Sequence, residues 1–411
     1  TLYVDNTIAV SGSGSLASPF KTIQQALNAA TAGTIIIIRG DAAGAGRIYS
    51  ETSVFPASGT ALAPITIKSF SGEKVVISHS STIAFNKNYL ILDGLIFDHQ
   101  NVAGDAITWS GSNNIIRNSE VRNGQRDGID FSPNANNNVI ENSIIHDFKW
   151  ITTIRNDAHC IVTDPPMSDL TIRNNTIYDC SGDGIQLFAG TTLAEATSSS
   201  AIVIEGNTIY STLGLNMENA LDFKDGINMT VKSNTMYGFT GNKTVVFQKY
   251  HNNVLFEGNI IHDGGGVEFR GEPVGTRQNN ITVVRNLIYT TAGRILYGFK
   301  FDGVDNINIY NNTIVNASGN SFLVGGAGVN GGAVKNNLVY NSGTAAKGSS
   351  QFTAGFSNNG WFNAGAGFLS GTNDTIGTDP LFINAADNDY RLSSSSPAID
   401  RGVNVGYPYF G

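Results

Sequence analysis

Residues 172–178 read I-R-N-N-T-I-Y, and the same phrase, with Ser in place of Asn in two copies, recurs along the chain. It centres on Ser119, Ser143, Asn175, Asn207, Asn234, Asn259, Asn286, Asn312 and Asn337, at spacings of 24 to 32 residues. An apolar residue stands three positions earlier each time, from Ile116 to Val334. Each unit holds short β-branched runs and no helix-length apolar pattern, which predicts a solenoid whose coils stack strand on strand. The fold class expected is all-β, a right-handed parallel β-helix. Asn tolerates left-handed backbone and its amide reaches the next coil, so the repeated position predicts a bend carrying an Asn ladder.

A repeat over most of 411 residues argues for one elongated domain, 1–411, with regular coils over 65–340. Residues 1–40 would form an N-terminal cap and first strand, and 341–411 an irregular closure. Within the cap, S-P-F-K-T-I-Q-Q-A-L-N-A-A predicts an amphipathic helix near 19–30 that covers the first coil. Ser18 is its expected N-cap, with Phe20, Ile23 and Leu27 on one face. Charged residues are 14% of the chain and the formal charge is −8, a balance that argues against nucleic acid as partner. No segment is apolar for long enough to span a bilayer, and a monomer outside the cell or in the periplasm is expected. Cys160 and Cys180 leave a disulfide and two buried thiols both open.

The opening Y-V-D-N and S-P-F-K-T-I-Q-Q-A-L, the ending D-P-L-F and S-P-A-I-D-R-G, and the N-x-I coils together resemble secreted bacterial β-helix proteins. That group includes family-9 pectate lyases and, more distantly, chondroitinase B and its alginate-lyase relatives. The resemblance implies the fold and a carbohydrate context.

Each coil carries a strand before the Asn phrase, such as G-I-D-F, G-I-Q-L, A-L-D-F, G-V-E-F and G-F-K-F. Alternation points Ile129, Ile185, Leu221, Val267 and Phe299 inward and their neighbours outward, so equivalent outward residues stack about 4.8 Å apart. One expected column reads Asp127, His159, Asp183, Asn219. The next reads Asp130, Val162, Gln186, Asp222, Phe247, Glu268, Lys300. A third holds Lys224, Lys249, Arg270 and Asp302. Stacked like charges repel, so a ladder of cations beside carboxylates points to a charged ligand. Two coils are longer, with extra residues in 149–157 and 189–200, expected to wall a cleft.

Lys249 and Arg270, on successive coils, resemble the Lys and Arg that serve as base and acid in the chondroitinase B and alginate-lyase group. β-Elimination needs a group to take the C5 proton of a uronate and cations to hold its carboxylate. Lys224 is the rival base. Where that group has an acidic pair shortly before the catalytic Lys, this chain has Lys243, Thr244 and Val245. Asp127, Asp130, Asp157, Asp183 and Asp222 resemble acidic coils of family-9 pectate lyases, which implies a Ca²⁺ site; turn-capping aspartates are the plainer reading. His159, Gln186, Glu268, Lys300 and Tyr250 are expected to bind substrate, and Tyr297, Trp150 and Phe188 offer rings for stacking.

The function expected is a secreted polysaccharide lyase cleaving a pectate- or alginate-like uronic-acid polymer. A glycoside hydrolase using Asp222 and Glu268 is the alternative, and a non-catalytic glycan-binding solenoid the third reading.

Overall fold

The computed structural model describes residues 1–149, 157–190, 192, 194, 198–212, 217–241, 243–271, 276–291, 297–347 and 352–407. The chain divides into two compact units, Thr1–Ala189 with Ser198–Met217, and Gly190–Thr197 with Glu218–Gly411. Each is built as a right-handed parallel β-helix.

One coil of the first unit shows how the repeat folds. Thr171–Arg173 lies in a first sheet, Thr176–Tyr178 in a second and Ile185–Leu187 in a third. Asn174, at φ 55°, makes the bend, and the neighbouring Asn175 is buried. The left-handed residue is therefore the one before the ladder Asn, and the pattern repeats with Asn142, Gly206, Ser233, Gly258 and Asn311. The ladder residue instead turns its amide inward, where its oxygen accepts the backbone N–H of the coil before. In the first unit Ser143 N–H donates to Asn175 Oδ1 at 2.9 Å, and Asn175 N–H to Asn207 Oδ1 at 2.9 Å. In the second unit the ladder runs Asn234, Asn259, Asn286, Asn312, Asn337 and one rung further to Asn359, inside the stretch expected to be irregular.

Between the sheets the core is stacked aliphatic and aromatic. Ile129, Ile161 and Ile185 pair in register in the first unit, as do Val245, Val267 and Phe299 in the second, all completely buried. In-register parallel pairing puts each inward residue on its equivalent, which keeps the column dry.

The cap helix spans Ile23–Ala29 and buries Ile23, Ala26 and Leu27. Its N-cap is Thr22, not Ser18, in a capping box with Gln25. Residues before it are extended because Phe20 bridges to Val4, so the helix starts four residues later than the Ser-Pro signal implied. Cys160 and Cys180 are joined by a disulfide with Cα atoms 5.5 Å apart.

Candidate functional site

The outer face of the third sheet carries the chemistry, and each unit presents a different one. In the first unit Thr108, Asp130 and Val162 stand side by side, with Gln186 next. Two residues before the inward Ile of each coil come Asp105, Asp127, His159 and Asp183. Asp105 was not among the expected site residues, although G-D-A-I-T-W matches R-D-G-I-D-F position for position. Arg126 bridges Asp105 at 3.2 Å and Asp127 at 3.4 Å. Asp127 Oδ1 accepts the His159 backbone N–H at 2.7 Å. His159 Nδ1 accepts the Asp183 N–H at 2.9 Å, leaving Nε2 turned toward Asp157 Oδ2 at 3.9 Å. Gln186 Nε2 donates to Asp183 Oδ2 at 2.9 Å.

Burial pushes the Asp130 carboxyl up to about 7, and repulsion from Asp164, Asp105 and Asp127 adds to it. Burial likewise raises Asp127 and Asp164. Asp130 thus holds its proton near neutral pH beside carboxylates that resist a further charge.

Three of the five aspartates expected to hold calcium are committed to other partners. A Ca²⁺ shell wants six to eight oxygens free to converge. Here Asp183 is fully buried and bonded to Gln186, and Asp127 spends an oxygen on a backbone N–H. Asp222 belongs to the second unit and is ion-paired. Among the described residues no three His, Cys, Asp or Glu side chains gather as a metal site requires. His159 and Gln186 are both buried, with polar atoms turned to their neighbours.

In the second unit the pairing corrects the expected columns. Asp222, Val246, Glu268 and Lys300 stand in one line, and Phe223, Phe247, Phe269 and Phe301 in the buried line beside it. Phe247 is inward and Val246 takes its place in the Asp222 column. The next outward line therefore runs Lys224, Gln248, Arg270, Asp302. Lys249 lies one residue past it, at φ 60°, off the register expected for it. The Phe that ends each strand phrase is the signal that fixes this register. Gln248 and Lys243 are the members of this face that the sequence reading did not assign.

Gln248 is the connecting piece. Its Nε2 donates to Asp222 Oδ1 at 2.6 Å and its Oε1 accepts Arg270 Nη2 at 2.8 Å. Lys224 Nζ pairs with Asp222 Oδ2 at 3.0 Å. Lys249 Nζ donates to the Gly190 carbonyl. Glu268 is fully buried, yet Lys300 lies 2.5 Å and Lys243 3.4 Å from its carboxylate. Burial opposes its charge, but these cations hold the carboxyl below its ordinary range. Tyr297 is buried with its hydroxyl 3.4 Å from Glu268, so its ring is no stacking platform. Tyr250 is half-buried and Phe188 is 41% exposed. Trp150 lies outside the described residues, as does most of the stretch 149–157 and part of 189–200 expected to wall a cleft.

The chain can be placed in a class at this point. Residues 168–376, just over half of it, match the family model described as a right handed beta helix region, and the chain belongs to that family. No curated protein matches the sequence. Among solved structures the chain is similar to a PL6 family polysaccharide lyase from Pseudopedobacter saltans, at 14% identity over 90% of this chain and 94% of that one, with a TM-score of 0.54. It is also similar to PfbA, a surface adhesin of Streptococcus pneumoniae, at 13% identity over 81% and 87%, TM-score 0.59. The pectate lyase Pel9A matches at 15% identity over 100% and 93%, TM-score 0.48. At these identities the likeness is one of fold, and the family resemblance read from the terminal motifs holds at that level.

Proposed function

We propose that the protein is an exported polysaccharide lyase that cleaves an acidic, uronate-containing glycan on the third-sheet face of its second unit. The observation that carries the reading is the pair of cations in one outward line of this face: the Arg270 guanidinium, hydrogen-bonded to Gln248 at 2.8 Å, and Lys224, beside Asp222. Lys249, one residue past that line and bonded to the Gly190 carbonyl, is the group assigned as base for the C5 proton.

In the step proposed, the C5–H bond breaks toward Lys249 and its electrons form the C4=C5 double bond. The C4–O bond breaks, and the departing oxygen takes a proton from solvent water. Negative charge builds on the uronate carboxylate meanwhile, and Arg270, aimed by Gln248, together with Lys224 neutralises it. The similarity in fold to a PL6 family lyase agrees with this reading, and a disulfide suits an oxidising compartment outside the cytosol.

The hydrolase reading needs one carboxyl that keeps its proton as general acid. Glu268 is charged and covered, and Asp222 is paired with Lys224 and Gln248, so neither meets that need. The fold likeness to the adhesin PfbA keeps non-catalytic glycan binding as the second reading.

The deciding experiment incubates the protein with pectate, alginate, glycosaminoglycans and neutral glycans and reads both ultraviolet absorbance and reducing ends. Conjugated, absorbing product from an acidic polymer is the expected result. Reducing ends without absorbance would sink elimination, and binding without cleavage would leave the glycan-binding solenoid.

A further inference from the structure

Two polar side chains stand inside the second unit at a place that the following coils fill with valine. His251 and Gln278 precede the paired residues Asn252 and Asn279, so they sit alike on successive coils, and both are completely buried. The next two coils put Val304 and Val329 there. Gln278 Nε2 donates to the Phe247 carbonyl at 2.8 Å and to the Arg270 carbonyl at 2.9 Å. Phe247 is joined by its peptide bond to Gln248, whose Oε1 accepts Arg270 Nη2 at 2.8 Å on the outer face. The bonds close a ring through the wall of the solenoid, with Gln278 on the dry side and Gln248 on the other. His251 acts one coil earlier. Its ring nitrogens face the Phe223 carbonyl at 3.1 Å and the Gly226 carbonyl at 2.9 Å, on either side of Lys224 and Asp225. Its ring stands perpendicular to that of Phe247, 5.4 Å away. A strand that ends in a longer turn leaves inward carbonyls that need donors, whereas after Asp302 the turn is the single residue Gly303 and Val304 suffices. Capping alone, however, does not account for Gln278. Its Oε1 finds no donor among the described residues, a penalty that a hydroxyl or an apolar side chain would avoid. A hydroxyl has one donor and grips one carbonyl; the amide has two and grips both strand ends.

We propose that His251 and Gln278 are positioning residues that grip the backbone from inside and so hold Lys224, Gln248 and Arg270 in the outward line that meets the uronate carboxylate. Neither touches the sugar. Their effect passes through the strand ends: Arg270 is a planar fork that serves only when aimed, and its aim is set by where Gln248 stands. A displacement on the order of 1 Å between those two coils would misplace the guanidinium against the charge it neutralises. The role rests on the lyase reading for the reaction it serves, while the held geometry stands without it.

The test compares Gln278→Met, His251→Leu and His251→Gln with the wild type by steady-state kinetics, thermal melts and crystal structures. Methionine keeps about the volume of glutamine and removes both donors. Gln278→Met should lower kcat on the cleaved polymer about tenfold with KM within about threefold, because Arg270 acts on charge that develops in the transition state. His251→Leu should lose about tenfold likewise, and His251→Gln, which places in that coil the amide that serves at 278, should recover most of it. A side chain that only caps a turn would lower the melting temperature and leave kcat unchanged in the folded protein. That result overturns the proposal, as does a His251→Gln protein no faster than His251→Leu. Should Gln278→Met not fold, the two His251 variants decide. If the wild type cleaves no polymer, the lyase reading falls and the crystal structures decide the positioning. The 2.8 Å bond of Arg270 to Gln248 should then be lost in Gln278→Met, or the 3.0 Å pair of Lys224 with Asp222 in His251→Leu, each opening beyond about 3.5 Å. Both contacts kept at their present lengths would refute it.

Discussion

Gln248 accepts a hydrogen bond from the Arg270 guanidinium at 2.8 Å, and through its other amide atom it donates to Asp222. One neutral side chain thereby fixes a cation on the following coil and a carboxylate on the preceding one. Arg270 is planar and forked, so its direction is set by such a partner and not by charge alone.

From this follows an order of losses. Lys249→Ala should lower kcat by about 10² to 10⁴, since it removes the base. Gln248→Ala leaves every charge in place and should cost about 10- to 100-fold through misaimed Arg270. Steady-state kinetics on the cleaved polymer would check both, and a Gln248 variant worse than the Lys249 variant would refute the assignment of roles.

Because Asp127 accepts the His159 backbone N–H, Asp183 accepts the Gln186 amide and Asp222 is paired with Lys224, activity should survive excess chelator. Turnover measured before and after chelation, then with calcium restored, decides the matter. Loss on chelation with recovery on calcium would reinstate the ion expected from the sequence.

Asp130 carries a pH signature of its own. Its folded carboxyl titrates at about 7 because of burial and the facing Asp164, Asp105 and Asp127, against about 4 when unfolded. The folded state therefore holds the extra proton, and stability falls as pH rises from about 4 to about 7. Asp130→Asn should raise the melting temperature at pH 8, by about 1–2 kcal/mol of stability once partial exposure is discounted, and change little at pH 4. Equal shifts at both pH values would contradict this.

The Asn ladder should be stiffly intolerant. Asn286 Oδ1 accepts the Asn259 N–H at 2.9 Å, and its Nδ2 donates to the Phe256 carbonyl and to Asn312 Oδ1, each at 2.9 Å. Asn286→Ala strands these groups in a dry interior, at a cost of about 3 kcal/mol. At Ser143 a smaller rung serves, its hydroxyl oxygen accepting the Ser119 N–H at 3.1 Å and donating to the Glu141 carbonyl at 2.8 Å. Denaturant melts of Asn286→Ala and Asn286→Ser would measure the difference, with Ser the milder.

What the sequence determined by itself is everything that depends on a period. The spacing of the Asn phrases fixed the coil, the stacking of Asn175 on Asn207 and of Asn286 on Asn312, and the burial of Ile129, Ile185 and Val267, because a repeat summed over many coils outvotes any local irregularity. The candidate site depends instead on single residues, where no such averaging acts. Between Thr244 and Lys249 the strand turns Val246 and Gln248 outward and Phe247 inward, and one residue of difference moved Lys249 out of the line that Arg270 occupies. Pairing decided this, since Phe247 gains a place between Phe223 and Phe269 that no exposed position offers. Likewise Lys300 and Lys243 lie far from Glu268 along the chain, and only the stacking of coils brings both ammonium groups over one buried carboxylate, whose charge then requires them.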